Sequence, residues 1–405
     1  MESSDTSRDE EDSFSGYRWD LFSLQHGALR SRTEKFLASV NWPGLLEYAV
    51  KKRNLDATNC ILLPDIGLGY NYVVRIIEFT DKARWIARIR MPRLGESTYD
   101  KATVKRQMSC ELNAISLVRQ KSGLPTPEVH AFDMTNDGIV KAPFMLMDCL
   151  EGNVGMDLGM EVPQEYMQTF LNGMAKTHVE LSVVQLPKIG TIISINDDGT
   201  YEQGPIPGIG GPFDTATEFY KAWASNVEFR MSEEELRAAS GPYAAEVIQG
   251  VASFPEAIGK IASKLSVRDN GPFPLCHGDF GHNNIIVDDK YRIVGLIDWE
   301  MAFAGPWEIF GDFPLNLSVT PPAMDAPFNY DGNGLPKVPA LIQKFTDQAE
   351  YIAAVKLAES QSNHDHEYSL SEALSDSKRQ QIATAMRLYG DGKVGFYSKL
   401  INEFL

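Results

Sequence analysis

Between residues 275 and 300 the chain reads LCHGDFGHNNIIVDDKYRIVGLIDWE, setting His277, Asp279, Asn284 and Asp298 among apolar runs. Carboxylate and amide oxygens are the donors that a hard cation such as Mg2+ takes. A carboxylate set against a hydroxyl can orient it and accept its proton. Phosphoryl transfer needs these parts, because it depends on positioning and charge neutralisation more than on covalent help. Asp279 supplies the carboxylate facing the hydroxyl. Asn284, five residues on, returns across the loop to bind metal, and Asp298 holds the metal from the other side. The spacing predicts strands at 284–288 and 292–297, paired as a hairpin that brings positions 284 and 298 together. His277 is read as a brace of the loop, with no chemical step of its own. The bland alternative makes Asp279 and Asn284 turn residues and Asp298 a strand-end cap.

The elements that must position this cluster fall into two halves. Residues 30–53 read as helical pieces broken near Pro43. CILLPDIGLGYNYVVRIIEFT and ARWIARIRM are rich in Val, Ile, Tyr and Trp and read as strands, joined by a turn at Asp81-Lys82. Apolar positions 108, 112, 115 and 118 mark a helix over 107–121. Two more strands follow, in PTPEVHAFDMT and in APFMLMDCLEG, the second ending at Glu151-Gly152. The first 150 residues are thus a mostly antiparallel sheet with an inserted helix. Beyond Gly152 the chain is helix-rich. A stripe through Tyr166, Phe170, Met174 and His178 predicts a helix over 164–184, with His178 as a core residue. A hairpin turning at Asp198-Gly199 follows, then a helix capped by Asp214 or Thr215 and a mainly helical remainder that includes 377–388. Sheet first, helices second, with a polar loop in the helical half, is how ATP-dependent phosphotransferases are built.

Bulk properties narrow the function classes. The 405 residues carry a formal net charge of −17, which repels phosphodiester backbones and argues against a nucleic-acid partner. There is no stretch of 18 apolar residues and no apolar leader, so the chain reads as cytoplasmic, without a membrane partner. Cys60, Cys110, Cys149 and Cys276 form no C-x-x-C pair and read as free thiols of a reducing compartment. The polar run holding His364 and His366 reads as an exposed loop. The acidic N-terminus reads as a solvating tail.

HGDFGHNN followed by IDWE resembles the aminoglycoside phosphotransferase family, part of the wider protein-kinase-like fold, and in particular its large fungal group. The resemblance covers roughly residues 60–315 and includes the insert GTIISINDDGTYEQGPIPGIGGPFDTATEFY. It implies an α+β, bilobal protein-kinase-like fold, with a small antiparallel-sheet lobe and a large mainly helical lobe. The expected division is a disordered acidic tail (1–25), an N-terminal extension with the nucleotide-binding lobe (26–148), and the catalytic and substrate lobe (149–405). The family's catalytic Asp matches Asp279, and its metal-binding Asn and Asp match Asn284 and Asp298. ATP and Mg2+ are the implied cofactors.

The nucleotide side follows from the same resemblance. The cation over the α- and β-phosphates falls at Arg88, where Lys is expected; Arg keeps the charge and can bind phosphate bidentately. Its helix partner is Glu111. Gly67, Gly69 and Asn71 of GLGYN are candidates for the loop whose N–H groups cover phosphates, without the third glycine of G-x-G-x-x-G. Met147 to Leu150 is the hinge by position, with Asp148 and Leu150 offering backbone to adenine. Gly278 stands where protein kinases carry Arg, and no A-P-E segment follows Asp298; both favour a small-molecule kinase. The reading is an ATP- and Mg2+-dependent O-phosphotransferase acting on a small hydroxylated molecule. The acidic Glu300, Glu308 and Asp312 raise a cationic acceptor as one case. The other class is a nucleotide-binding pseudokinase acting as scaffold or regulator, favoured by Arg88 and opposed by the intact Asp279, Asn284 and Asp298. The sequence leaves the oligomeric state open.

Overall fold

The computed structural model describes residues 14–19, 27–54, 59–95, 99–196, 200–362 and 368–404. Five strands, β1 (Cys60–Leu68), β2 (Tyr72–Phe79), β3 (Arg84–Arg90), β4 (Val129–Asp133) and β5 (Phe144–Asp148), form one antiparallel sheet in the order β1-β2-β3-β5-β4. Side chains on a strand alternate between faces, and here the two faces bury different things. Val73, Ile77, Ala87, Ile89, Phe144 and Leu146 join Phe36, Val40, Leu45 and Ala49 from two N-terminal helices, α1 (Ala28–Ser39) and α2 (Trp42–Arg53). Tyr72, Met145 and Met147 face the other way, onto Val104 and Met108 of α3 (Lys101–Lys121). The N-terminal extension therefore covers one face of the sheet, and α3 covers the other.

Local chemistry explains the boundaries. The break between α1 and α2 falls at Val40-Asn41, where the Asn41 side chain accepts from the Gly44 N–H at 3.2 Å. Pro43 sits in the first turn of α2, where its missing N–H costs nothing. Helix α3 begins six residues before the expected 107. Val104 continues the apolar period of 108, 112, 115 and 118 toward the N-terminus, and Asp100 caps the helix by accepting from the N–H groups of Ala102 and Thr103.

The rest of the chain is mainly helical around one large core. Helix α4 (Met167–Ser182) turns Phe170, Met174 and His178 inward. His178 bonds Tyr351 Oη and the Phe310 carbonyl, both at 3.0 Å, and burial pushes its pKa down to about 4, so the ring is neutral. It is a satisfied core residue. The helix Ala216–Asn226 takes Thr215 as its cap, in a reciprocal capping box with Glu218. The hairpin Thr191–Ile195/Tyr201–Gly204 forms, while the expected turn at Asp198-Gly199 and the run holding His364 and His366 lie outside the described residues. The architecture is α+β: a small antiparallel-sheet lobe and a large mainly helical lobe. Cys60, Cys110, Cys149 and Cys276 are all free thiols, and among the described residues no helix is long and apolar enough to cross a membrane.

Residues 14–19 depart from the expectation of a solvating tail. Their sequence, FSGYRW, holds three aromatic side chains, which favour burial. Ser15 donates to Asp289 at 2.7 and 2.8 Å, and Tyr17 Oη donates to the Leu150 carbonyl at 3.0 Å.

Phe254, 1% exposed, packs its ring against Trp223, Tyr389 and Tyr397 on three other segments of the large core. Phe254→Ala leaves a cavity there and is expected to cost about 3–5 kcal/mol. Thermal denaturation should show a lowered midpoint; an unchanged midpoint would mean that this cluster does not hold the helical lobe.

Candidate active site

The strand Phe273–Cys276 delivers the polar loop, and the hairpin Ile285–Val287/Ile293–Leu296 closes it. The Ile297 N–H donates to the Asn284 carbonyl at 3.0 Å, so the hairpin joins positions 284 and 298 as their spacing predicts. Two features shape the turn. Gly278 has φ +85°, and a Cβ there would lie 2.5 Å from the Met301 carbonyl oxygen, so only glycine fits. His277 is buried, and burial pushes its pKa down to about 4. The neutral ring accepts from the Asp279 N–H at 3.4 Å and donates from Nε2 to the Ile297 carbonyl at 2.9 Å. It braces the loop, as expected, and ties it to the segment carrying Asp298.

Asp279 Oδ2 accepts from Asn284 Nδ2 at 2.8 Å and from Asn283 Nδ2 at 2.9 Å. Burial raises the Asp279 pKa above the ordinary aspartate value, and the Asp298 charge adds to the rise. The amide nitrogen of Asn284 also donates to the Asp279 carbonyl at 2.9 Å. With its nitrogen spent twice, Asn284 keeps its amide oxygen as the atom able to bind a cation. Asp298 sits at φ +68°, a left-handed conformation that Asp tolerates better than most residues.

Arg88 on β3 joins this loop to the small lobe. One guanidinium nitrogen bonds Glu111 Oε1, and the other donates to Asp298 Oδ1 at 2.7 Å. The guanidinium lies 3.7 Å from the centre of the Tyr72 ring. Burial disfavours the cation, but the facing carboxylates of Asp298 and Glu111 outweigh it and raise the Arg88 pKa. Burial also pushes Asp298 upward, yet Arg88 prevails and holds its pKa below the ordinary value. Glu111 is 1% exposed; burial raises its pKa against the pull of Arg88, and its Oε2 has no partner among the described residues.

Arg90, two residues along the same strand face, makes a second link. It donates to Glu300 Oε2 at 2.8 Å, Tyr72 Oη at 2.6 Å and Gln107 Oε1 at 2.7 Å. Asn71 donates to the other Glu300 oxygen at 2.9 Å. The three acidic residues considered for a cationic acceptor are all hydrogen-bonded within the protein, Glu300 while lining the cavity between the lobes. Glu300 ties the glycine turn and β3 to the segment after Asp298. Glu308 is buried and accepts from the Val267 N–H at 2.8 Å and Ser266 Oγ at 2.9 Å. Asp312 pairs with Arg387 at 2.8 Å and with Thr384 at 2.5 Å. Arg90 was missed, although the two-residue spacing from Arg88 on a strand puts both on one face.

A cavity of about 530 Å3 lies between the lobes, within the range of small-molecule sites. Gly67, Gly69, Asn71, Arg88, Glu111, Asp148, Leu150, Asp279, Asn284 and Asp298 all line it. These ten nominated residues, and Glu300 with them, therefore meet in one place, while Glu308 and Asp312 are not among the residues lining it. Gly67 and Gly69 lie at the hairpin between β1 and β2, closed by the Gly69 N–H bond to the Tyr72 carbonyl at 2.9 Å. The Asp148 carboxylate is turned to His130 at 2.8 Å and to the Glu128 N–H at 2.9 Å. Aliphatic walls come from Val74, Ile86, Ile115, Ile286 and Ile297. Tyr17 and Trp19 also line the cavity, and nothing in the motif spacing pointed to them.

The model of the phosphotransferase enzyme family (APH) matches residues 69–308. Several solved structures are similar. A thermostable mutant of aminoglycoside phosphotransferase APH(4)-Ia, in ternary complex with ADP and hygromycin B, is 14% identical, over 89% of this chain and 96% of that one, with a TM-score of 0.42. Plasmodium vivax ethanolamine kinase is 11% identical, over 91% of this chain and 89% of that one, at TM-score 0.43. Macrolide 2'-phosphotransferase MphH from Brachybacterium faecium is 12% identical, over 82% and 87%, at TM-score 0.36. No curated protein sequence matches the chain. With the family model spanning more than half of its residues, the chain belongs to the phosphotransferase enzyme family and is a small-molecule kinase.

Proposed function

We propose that the enzyme moves the terminal phosphoryl group of ATP to a hydroxyl of a small molecule, in the cavity between the lobes. One observation carries this reading: the carboxylate suited to a base, the two oxygen donors suited to a cation, the paired guanidinium, the glycine hairpin and the hinge backbone line one cavity. We take the hinge at Asp148–Leu150 as the division between a nucleotide-binding part, residues 26–148, and a catalytic part, residues 149–405.

Each residue has a task in the scheme. The hinge backbone at Asp148 and Leu150 receives adenine. The hairpin of Gly67, Gly69 and Asn71 turns backbone toward the phosphates. Arg88, steadied by Glu111 and by the Tyr72 ring, meets phosphate charge with a planar donor fork. Asp279 orients the acceptor hydroxyl and takes its proton as the oxygen attacks phosphorus. The amide groups of Asn283 and Asn284 aim that carboxylate. Asn284 and Asp298 fit a hard cation, because one offers an amide oxygen and the other a carboxylate kept ionised by Arg88. Mg2+ held there would neutralise charge on the transferring phosphoryl group. The four free thiols support a reducing, cytoplasmic setting. The acceptor is read only as a hydroxylated small molecule, since Glu300, Glu308 and Asp312 are engaged in bonds within the protein.

Three tests follow from these roles. Asp279→Ala should lower phosphate transfer to a panel of sugars and amino-alcohols by about 10²–10⁴-fold with an unchanged circular-dichroism spectrum; wild-type turnover would refute the role of Asp279. The base must be ionised, and its pKa lies above the ordinary aspartate value of 3.8. kcat should therefore fall as pH is lowered through that raised value, and a profile flat down to pH 3.8 would contradict it. Arg88→Met should raise the KM for ATP by roughly 10-fold or more, as expected for loss of a charged hydrogen bond, with the acceptor KM little changed. An acceptor KM that moved instead would assign Arg88 to the other substrate.

A further inference from the structure

Tyr17 and Trp19 line the cavity, and the segment that carries them, residues 14–19, is fastened at both ends and in the middle. Ser15 is held by Asp289, in the turn of the catalytic hairpin, at 2.7 and 2.8 Å. Asn153 is 3% exposed and clasps the backbone on both sides of Tyr17. It accepts from the Arg18 N–H at 2.8 Å and donates to the Gly16 carbonyl at 3.1 Å. Tyr17 Oη donates to the Leu150 carbonyl at the hinge and lies 3.1 Å from Cys149 Sγ. The Tyr17 and Trp19 rings pack with centroids 4.9 Å apart. Trp19 then reaches the small lobe: a Cβ on Gly67 would come within 3.3 Å of its indole ring. The segment therefore touches the hinge, the catalytic hairpin and the glycine strand, and each contact is made by a particular side chain.

Tyr17 and Trp19 line the same cavity as Gly67, Asp148 and Leu150, and the cavity still holds about 530 Å3 with them in place. They are a wall of the site and do not fill it. An indole at the hinge end of a cleft with aliphatic walls is the surface on which a nucleobase stacks.

We propose that Trp19 is a nucleobase-contacting residue, and that the Asn153 clasp and the Tyr17–Leu150 bond hold it at the hinge. The inference rests on the nucleotide reading of the cavity and adds to it a binding residue from outside the matched family region. Because every base has a π-face, the contact favours nucleotides over bare polyphosphate and not one base over another.

The test titrates ATP and inorganic tripolyphosphate, each with Mg2+, into the full-length wild type, Trp19→Ala and Trp19→Phe, by calorimetry. Trp19→Ala should weaken ATP by roughly tenfold, within the range for one lost base stack, and leave tripolyphosphate unchanged. Trp19→Phe keeps an aromatic face and should bind ATP close to wild type. Equal or tighter ATP binding by Trp19→Ala would overturn the inference and make the segment a cover over the site. An equal loss for tripolyphosphate would overturn it too, by showing a general structural effect. If the wild type binds no ATP, the nucleotide reading itself falls, and the two failures are told apart by that first titration.

Discussion

The Arg88 guanidinium is the tie on which the site depends. It is 11% exposed, lies under the Tyr72 ring, and bonds Glu111 of one lobe and Asp298 of the other. Taking these charges out of water costs several kcal/mol per ion, and only close pairing offsets it. Glu111, Asp298 and Glu300 bring three carboxylates together, and Arg88 and Arg90 supply the two cations that let them share the space. An unpaired member of such a cluster is costly, so the lobes are held at a spacing that keeps all five groups paired. The same bonds fix where Asp298 stands, in a backbone conformation that costs about 1–3 kcal/mol for a non-glycine residue. Arg88 holds the Asp298 carboxylate, and His277 holds the carbonyl of the preceding Ile297, so the conformation is fixed on both sides.

This arrangement explains why the polar residues sit so close in sequence. A loop that, on the proposed reading, presents a base and two oxygen ligands to one cavity needs a short return path. The hairpin after Asn284 provides it, with the Ile297–Asn284 backbone bond as its last rung. Gly278 lets the chain turn under the Met301 carbonyl, where a side chain has no room. The sheet lobe contributes geometry of another kind. Its two faces are filled by α1 and α2 on one side and α3 on the other, so β3 runs at a fixed height above the loop. Arg88 and Arg90, two residues apart, then reach down side by side.

Much of this was legible in the chain, for definite reasons. The hairpin after Asn284, the strands and most helices announce themselves through period and turn chemistry, and the motif residues carry their own spacing. Arg88 and Glu111 were reached by resemblance, since neither position stands out on composition. Long-range pairings were not legible. Glu300 and Glu308 read as free acidic groups because their partners, Arg90 and the Val267 N–H, are far away in the sequence. Helix α3 was cut short at 107, although Val104 continues its apolar period and the Asp100 cap was there to be seen. The segment 14–19 was absorbed into an acidic tail because the surrounding charge masks its three aromatic residues, and its hydrogen-bond partners Leu150 and Asn153 lie more than 130 positions on.

The central claim is that the cluster tied together by Arg88 is where the phosphates of a metal-bound nucleotide settle. A crystal structure with Mn2+ and a non-hydrolysable ATP analogue tests this most directly. The account predicts an anomalous peak between Asn284 Oδ1 and the Asp298 carboxylate, with a phosphate oxygen on Arg88 and the terminal phosphorus facing Asp279. An analogue bound outside this cavity, or a peak away from both oxygen donors while Arg88 touches no phosphate, would contradict it.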